Sequence, residues 1–347
     1  MPWAKPRFGR SEINWAGRVI CQEGPPNETA DRALVILNNW RSSHSYPLNA
    51  FQVGLRYRAR TIAHSTTVAQ RIKRLSSIQA KLRRYPNMRL SQMQDIGGCR
   101  AVVDDCAAVR AIVKSYRESR HAHELAHEDD YIHFPKESGY RGYHLVYRFK
   151  SASHRDYNNL KIEVQLRSAL QHAWATSVET VGTLIEQPLK SSIGEADWLW
   201  FFSLMGSALA VMEGTPTVPG TPTNDSELRS LVRDLQDRLG VEAVLSGYGE
   251  AIQTIYQGER QAPYYLLELR PNAGEGRKGT VTITGYEIHQ LEEATTKYLE
   301  VEKGLTDPGA QAVLVSVESL NALPLAYPNY FLDTRRFLDA VRIFLTR

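Results

Sequence analysis

Between residues 71 and 100 the chain carries Arg71, Lys73, Ser77, Lys81, Asp95 and Arg100. Several cations and a hydroxyl donor are what a triphosphate requires, and Asp95, just ahead of Ile96-Gly97-Gly98, offers an oxygen ligand for Mg²⁺. On one continuous helix from Thr67 to Leu82, Arg71, Ser77 and Lys81 share part of a face within about 15 Å of axis. The same spacing also suits a solvated basic face. A second cluster, Pro135 to His144, sets Tyr140 among glycines and basic side chains, a ring on which a nucleobase could stack. In the third, Glu163-Val164-Gln165-Leu166-Arg167, strand alternation points Glu163, Gln165 and Arg167 to one side. A carboxylate on a rigid strand suits a general base or a second metal ligand, and a half-exposed sheet with a polar face produces the same pattern.

The elements that must position these residues follow from periodicity. Amphipathic helices are expected over 29–60 and 67–82, with a further helix after Ser91, a buried strand at Cys99–Val103 and a helix from Asp105 to Arg120. Asp130–Phe134 reads as a strand, and His144–Phe149 and Leu160–Leu166 as a hairpin with turn residues Asn158-Asn159. Helices are then expected over Ser168–Ile185, 195–213 and Asp225–Leu239, with the Pro/Gly-rich stretch Gly214–Thr223 as a linker. Beyond it, strands at 264–269, 279–284 and 312–317 and a helix over 287–302 describe a small α/β unit at about 245–347. Interleaving without strict βα alternation predicts an α+β fold with a mixed sheet flanked by helices.

Composition excludes several classes. With 347 residues, 42% hydrophobic and 23% charged, the chain has the make-up of a folded globular protein. The N-terminus lacks the apolar run of a signal peptide, and no stretch is long and apolar enough to span a bilayer, so no membrane partner and a cytoplasmic location are expected. Cys21, Cys99 and Cys106 have no CxxC spacing, which argues against a disulfide framework or a zinc site. His121, His123 and His127 read as surface residues. A net charge of +4 leaves the case for a nucleic-acid partner to local clusters such as Arg56, Arg58, Arg60, Arg83, Arg84 and Arg89.

Taken together and in order, the three clusters resemble the RelA/SpoT synthetase domain over about residues 60–185. The resemblance implies transfer of the β,γ-pyrophosphate of ATP to a ribose 3′-hydroxyl, with Arg71 and Arg100 sandwiching adenine and Lys73, Ser77 and Lys81 on the phosphates. It implies Asp95 as the Mg²⁺ ligand and Glu163 as metal ligand or activator of the acceptor hydroxyl. Tyr140 would stack on the acceptor base, with Lys136, His144 and Gln165 in support. Where the family often has a glutamate four residues beyond the tryptophan, this chain has Val178 after Trp174, with Glu179 one later. No His-Asp pair of a hydrolase domain precedes the match, so degradation is not expected.

The region after 245 is similar to the C-terminal part of the CapRel family of fused toxin–antitoxins of phage defence. That resemblance implies a small zinc-finger-like domain without zinc ligands, whose Tyr327 and Tyr330 plug the adenine site against Arg71 and Arg100 until a phage protein binds. It implies the 3′ CCA end of tRNA as acceptor; a small alarmone synthetase acting on GDP or GTP is the alternative. The expected organisation is a helical extension over 1–60, the pyrophosphokinase (toxin) domain over 61–190, a helical linker over 191–244 and an antitoxin or sensor domain over 245–347.

Overall fold

The computed structural model describes residues 3–22, 27–184, 189, 195–249, 252–258, 261–270, 279–305, 307, 310–317, 319–331 and 334–346. Ile185, expected at a helix end, and Leu332-Asp333, in the terminal aromatic segment, lie outside the described residues. The chain opens with α1 (Arg10–Val19), α2 (Glu28–Ser43) and α3 (Ser45–Ile62). Then come β1 (Thr66–Ile72), α4 (Leu75–Arg84), β2 (Gly97–Val103), α5 (Cys106–Glu118), β3 (Glu124–Asp130), β4 (Tyr143–Arg148), β5 (Lys161–Ser168) and α6 (Ala169–Leu184). The helices α7 (Ala196–Glu213), α8 (Asp225–Leu239) and α9 (Val241–Gly249) lead to β6 (Ile252–Gly258), β7 (Tyr264–Arg270), β8 (Gly279–Tyr286), α10 (Leu291–Gly304) and β9 (Gln311–Ser316). A single turn, α11 (Leu323–Ala326), precedes the last helix, α12 (Arg335–Thr346). No described helix is long and apolar enough to cross a membrane.

The strands form one mixed sheet in the order β3-β4-β5-β2-β1-β9-β7-β8-β6. β2 runs parallel to β5 and β6 parallel to β8, while the other neighbours are antiparallel. The α+β architecture is therefore as expected. The strands after 245 extend the same sheet instead of building a second one, because β9 pairs with β1 at Gln70↔Ser316 and Arg71↔Val315. That junction is short, and Gln52 of α3 reinforces it by donating from Nε2 to the Ser316 carbonyl at 3.1 Å.

Four local expectations are corrected. Residues 67–82 are not one helix: Thr66–Ile72 pairs along its whole length with β2, and only the part from Leu75 is helical. The β-branched Thr66, Thr67, Val68 and Ile72 favour the strand once a partner edge is present. After Ser91 there is a single 3₁₀ turn, Leu90–Gln92. The third strand ends at Asp130, whose carboxylate accepts from the Ile132 and His133 amides and turns the chain. Gly214–Thr223 is packed rather than free: Val218 is buried, its amide donates to Ser207 Oγ at 2.8 Å, and Arg141 donates to the Pro216 carbonyl.

One face of the sheet is greasy. Val68, Cys99, Ala101, Val103, Tyr147, Val164 and Leu166 pack there against α3 and α5. His121 and His123 belong beside this core and not on an open surface: His123 lies over Phe149 with ring centroids 5.0 Å apart. α7, apolar on all sides, packs with α6, α8 and α12 in a second core. Its contact with the loop before β4 is backbone to backbone. Gly139 has φ +88°, and a Cβ on Gly206 would come within 2.6 Å of the Gly139 Cα. Gly206→Ala is therefore expected to lower stability by about 1–3 kcal/mol. A lower urea midpoint with unchanged slope is the readout, and an unchanged midpoint contradicts the contact.

Candidate active site

Register decides which side chains meet. Ala69 pairs with Arg100 and Arg71 with Gly98 across β1 and β2, and Gly98, Arg100 and Val102 pair with Glu163, Gln165 and Arg167 across β2 and β5. Paired residues share a face, so Arg71, Arg100, Glu163, Gln165 and Arg167 all project opposite to the greasy core. His144, paired with Gln165, joins them from β4. The small residues Ala69 and Gly98 stand among them and leave room for the guanidinium groups. Arg71, Lys73, Asp95, Arg100, Glu163, Gln165 and Tyr327 line one cavity of about 40 Å³. That is space for a few water molecules and not for a purine ring.

Asp95 is the hub on one side of this cavity. Its carboxylate accepts from Lys73 Nζ at 2.6 Å and from Lys81 Nζ at 3.0 Å. Burial opposes its charge, but the two ammonium groups hold the carboxyl well below its usual range. Burial in turn keeps Lys73 below its ordinary value even with Asp95 opposite. Lys73 lies in the turn between β1 and α4, and Lys81 on α4 two turns later. Ser77, also on α4, is half-buried and lies outside the residues that line the cavity.

On the other side, Glu163 accepts from His144 Nδ1 at 2.9 Å and from Gln165 Nε2 at 2.6 Å. The second ring nitrogen of His144 meets the Tyr140 hydroxyl at 2.6 Å, and Arg167 donates to that same oxygen at 3.0 Å. Burial works against every charge here. Against it, Tyr140 and Glu163 raise His144 to about 9, His144 lowers Glu163, and Arg167 with His144 pulls the Tyr140 phenol below its ordinary value. Glu163 also feels Asp95, which lies across the cavity. Lys136 stands 5.4 Å from the centre of the Tyr140 ring and 4.2 Å from that of Tyr131.

The adenine side, as inferred from sequence, is covered. Tyr327 and Tyr330 are buried, and the Tyr327 hydroxyl donates to the Gln70 carbonyl at 2.9 Å. Arg100 lies 5.6 Å from the centre of the Tyr327 ring and donates to the Ala326 carbonyl. Tyr330 meets the expectation in part: its hydroxyl meets Arg74 at 3.4 Å, and the charge of Arg71 acts on it as well. Sequence reasoning missed Arg74, whose charge acts on Tyr330, and His172, which meets the Leu325 carbonyl at 3.2 Å; Glu179, noted there for its offset after Trp174, also acts on Tyr330. Arg167 was legible in the alternation of β5, though not as a site residue. Of the arginines expected on an open basic surface, Arg58 is committed to Tyr116 and Ser119, whereas Arg83, Arg84 and Arg89 are exposed at and beyond the end of α4.

The His144 shift has a pH consequence. Raised to about 9 from 6.5, its charge contributes stability that is complete below pH 6.5 and lost as pH rises through 9. The stability difference between the parent and His144→Gln should narrow by up to about 3 kcal/mol over that window. Urea unfolding at stepped pH measures it; a constant difference contradicts a protonated imidazole.

Residues 70–181 match the family model described as "Region found in RelA / SpoT proteins". A 114-residue stretch is 36% identical to GTP pyrophosphokinase YjbM of Bacillus subtilis (strain 168), covering 31% of this chain and 52% of that protein. The chain thus spans about half the length of this curated relative. Among solved structures, small alarmone synthetase 2 of Bacillus subtilis aligns with TM-score 0.43 and 18% identity over 51% of this chain and 94% of its own. Small alarmone synthetase 1 of the same organism, bound to its product pppGpp, aligns with TM-score 0.40 and 26% identity over 60% of this chain and 100% of its own.

Proposed function

We propose that this protein is an ATP-dependent pyrophosphokinase, held inactive by its own C-terminal half. The observation that carries the reading is the cavity in which Asp95, flanked by Lys73 and Lys81, faces Glu163 within the matched residues. In the reaction a 3′-hydroxyl attacks the β-phosphorus of ATP, the new O–P bond forms as the bond to the α,β-bridging oxygen breaks, and AMP leaves with that electron pair. Lys73 and Lys81 turn from Asp95 to the phosphates, where they stabilise charge in the transferred group. Glu163 takes the hydroxyl proton once His144 has shifted towards Tyr140. Arg71 and Arg100 orient adenine, and Tyr140, with Lys136 and Gln165, orients the acceptor.

Two ionised carboxylates on one cavity fit Mg²⁺, which commonly takes one or two protein carboxylates and completes its shell with phosphate oxygens and water. When bound at Asp95 and Glu163 it would neutralise charge on the triphosphate.

The acceptor in this reading is the 3′ CCA end of tRNA, with the exposed Arg83, Arg84 and Arg89, at and beyond the end of α4, as its electrostatic approach. Tyr327 is the block, and a phage protein that draws it away is the trigger, so that the chain works as a fused toxin and antitoxin. A second reading, favoured by the likeness to a GTP pyrophosphokinase, makes GDP or GTP the acceptor. With γ-labelled ATP and Mg²⁺, Tyr327→Ala is expected to label deacylated tRNA at least ten-fold faster than the parent. Adding Glu163→Gln should reduce that rate by about 10²-fold or more. Label on guanine nucleotide alone supports the second reading; no transfer to either acceptor, in a folded variant, contradicts the pyrophosphokinase.

A further inference from the structure

Behind the phosphate side of the site, a buried ion pair joins the N-terminal helices to the C-terminal half. Arg41 of α2 and Glu302 of α10 meet at 2.9 Å with side chains 2% and 8% exposed. The guanidinium is fully engaged. Nε donates to the Lys73 carbonyl at 3.0 Å, one terminal nitrogen to Asn38 and Glu302, and the other to the Tyr298 hydroxyl at 2.7 Å and again to Glu302. Tyr298 donates in turn to Glu302 at 2.9 Å.

The carboxylate has one more partner, the backbone amide of Leu75 at 2.7 Å. Leu75 is the first residue of α4, and Arg74, at the N-cap position, makes no side-chain cap bond. An α-helix leaves its first amides without internal acceptors, and a carboxylate there satisfies one of them and favours the helix dipole. Other helices here cap themselves: Asp105 accepts from Ala108 on α5 and Asn224 from Glu227 on α8. α4 takes its anion from a residue 227 positions downstream. The carbonyl before Arg74 and the amide after it are thus gripped by opposite charges from α2 and α10, and Lys73 and Lys81 lie on either side of the grip.

We infer that Glu302, braced by Arg41, is a positioning residue for the phosphate-binding lysines, so that the C-terminal half completes the ATP site that it also blocks. The inference rests on Lys73 and Lys81 being phosphate ligands. In full-length chain carrying Tyr327→Ala, Glu302→Ala is expected to weaken binding of a non-hydrolysable ATP analogue by about ten-fold or more and to speed hydrogen exchange of the first amides of α4. Glu302→Gln, which keeps an acceptor oxygen, should recover part of both. Arg41→Met with Glu302→Leu removes both charges and should restore the melting temperature without restoring affinity or slow exchange. Affinity that returns with the melting temperature makes the pair merely structural and overturns the inference, as does parental exchange in Glu302→Ala. A parent that binds no ATP analogue counts against the proposed function instead, and the exchange comparison still decides the cap.

Discussion

Buried positive charge is the constraint around which the site is arranged. Arg71, Lys73, Lys81, Arg100 and Arg167 crowd around Asp95 and Glu163. The strain is visible in Arg100, which burial first, and Arg167 next, lower to about 10. Four of these cations are answered by something that a bound polyanion or base would displace or take over: Lys73 and Lys81 by Asp95, Arg100 by the Tyr327 ring and the Ala326 carbonyl, Arg167 by the Tyr140 hydroxyl. The Nε atoms of Arg100 and Arg167 are buried without a hydrogen-bond partner, so part of the donor capacity stays unmet. A ligand carrying several negative charges would satisfy that unmet capacity.

The fold tolerates it because most of these charges stand on strands or on α4, with Lys73 and Asp95 in the short segments that adjoin β1 and β2. Strand register fixes five of the side chains to within one residue, and a one-residue slip would bury them in the Val68–Leu166 core instead. The Tyr140 loop has no strand to hold it and is pinned from behind. Arg141 donates to the carbonyls of Ile132, Gly206 and Pro216, and Ser203 donates to that of Glu137 at 2.7 Å. α7 thereby acts as a backing plate, and Gly206 lets it approach that closely.

Much of this was legible in the sequence where the pattern is local. Period-two alternation over Glu163–Arg167 placed Glu163, Gln165 and Arg167 on one side. What the sequence hid was tertiary. Arg71 to Lys81 has helical spacing, yet pairing with β2 makes a strand of its first part, so Arg71 reaches the site from the sheet and Lys81 from a helix. Where the sequence departs from the family pattern, Val178 faces Tyr140 in an apolar pocket, while Glu179 acts on Arg74 and Arg100. Nothing in the spacing of Arg41, Tyr298 and Glu302 announces a contact across the whole chain.

The C-terminal half reaches the sheet from both sides. Tyr327 and Tyr330 lie against its charged face, where Ala69, Tyr265 and Val315 complete their packing. α10 lies on the opposite face, packed through Ala294 and Tyr298 on Leu266 and Ala312, and holds Glu302 at α4. Between the two, β9 is stitched into β1. Removing the half wholesale would therefore uncover Arg100 and at the same time withdraw the anion from α4 and the neighbour from β1. The segment around α11 and Tyr327 is held to the site face by the Arg100–Ala326, His172–Leu325 and Tyr327–Gln70 bonds, contacts separate from those by which β9 joins β1 and Glu302 caps α4.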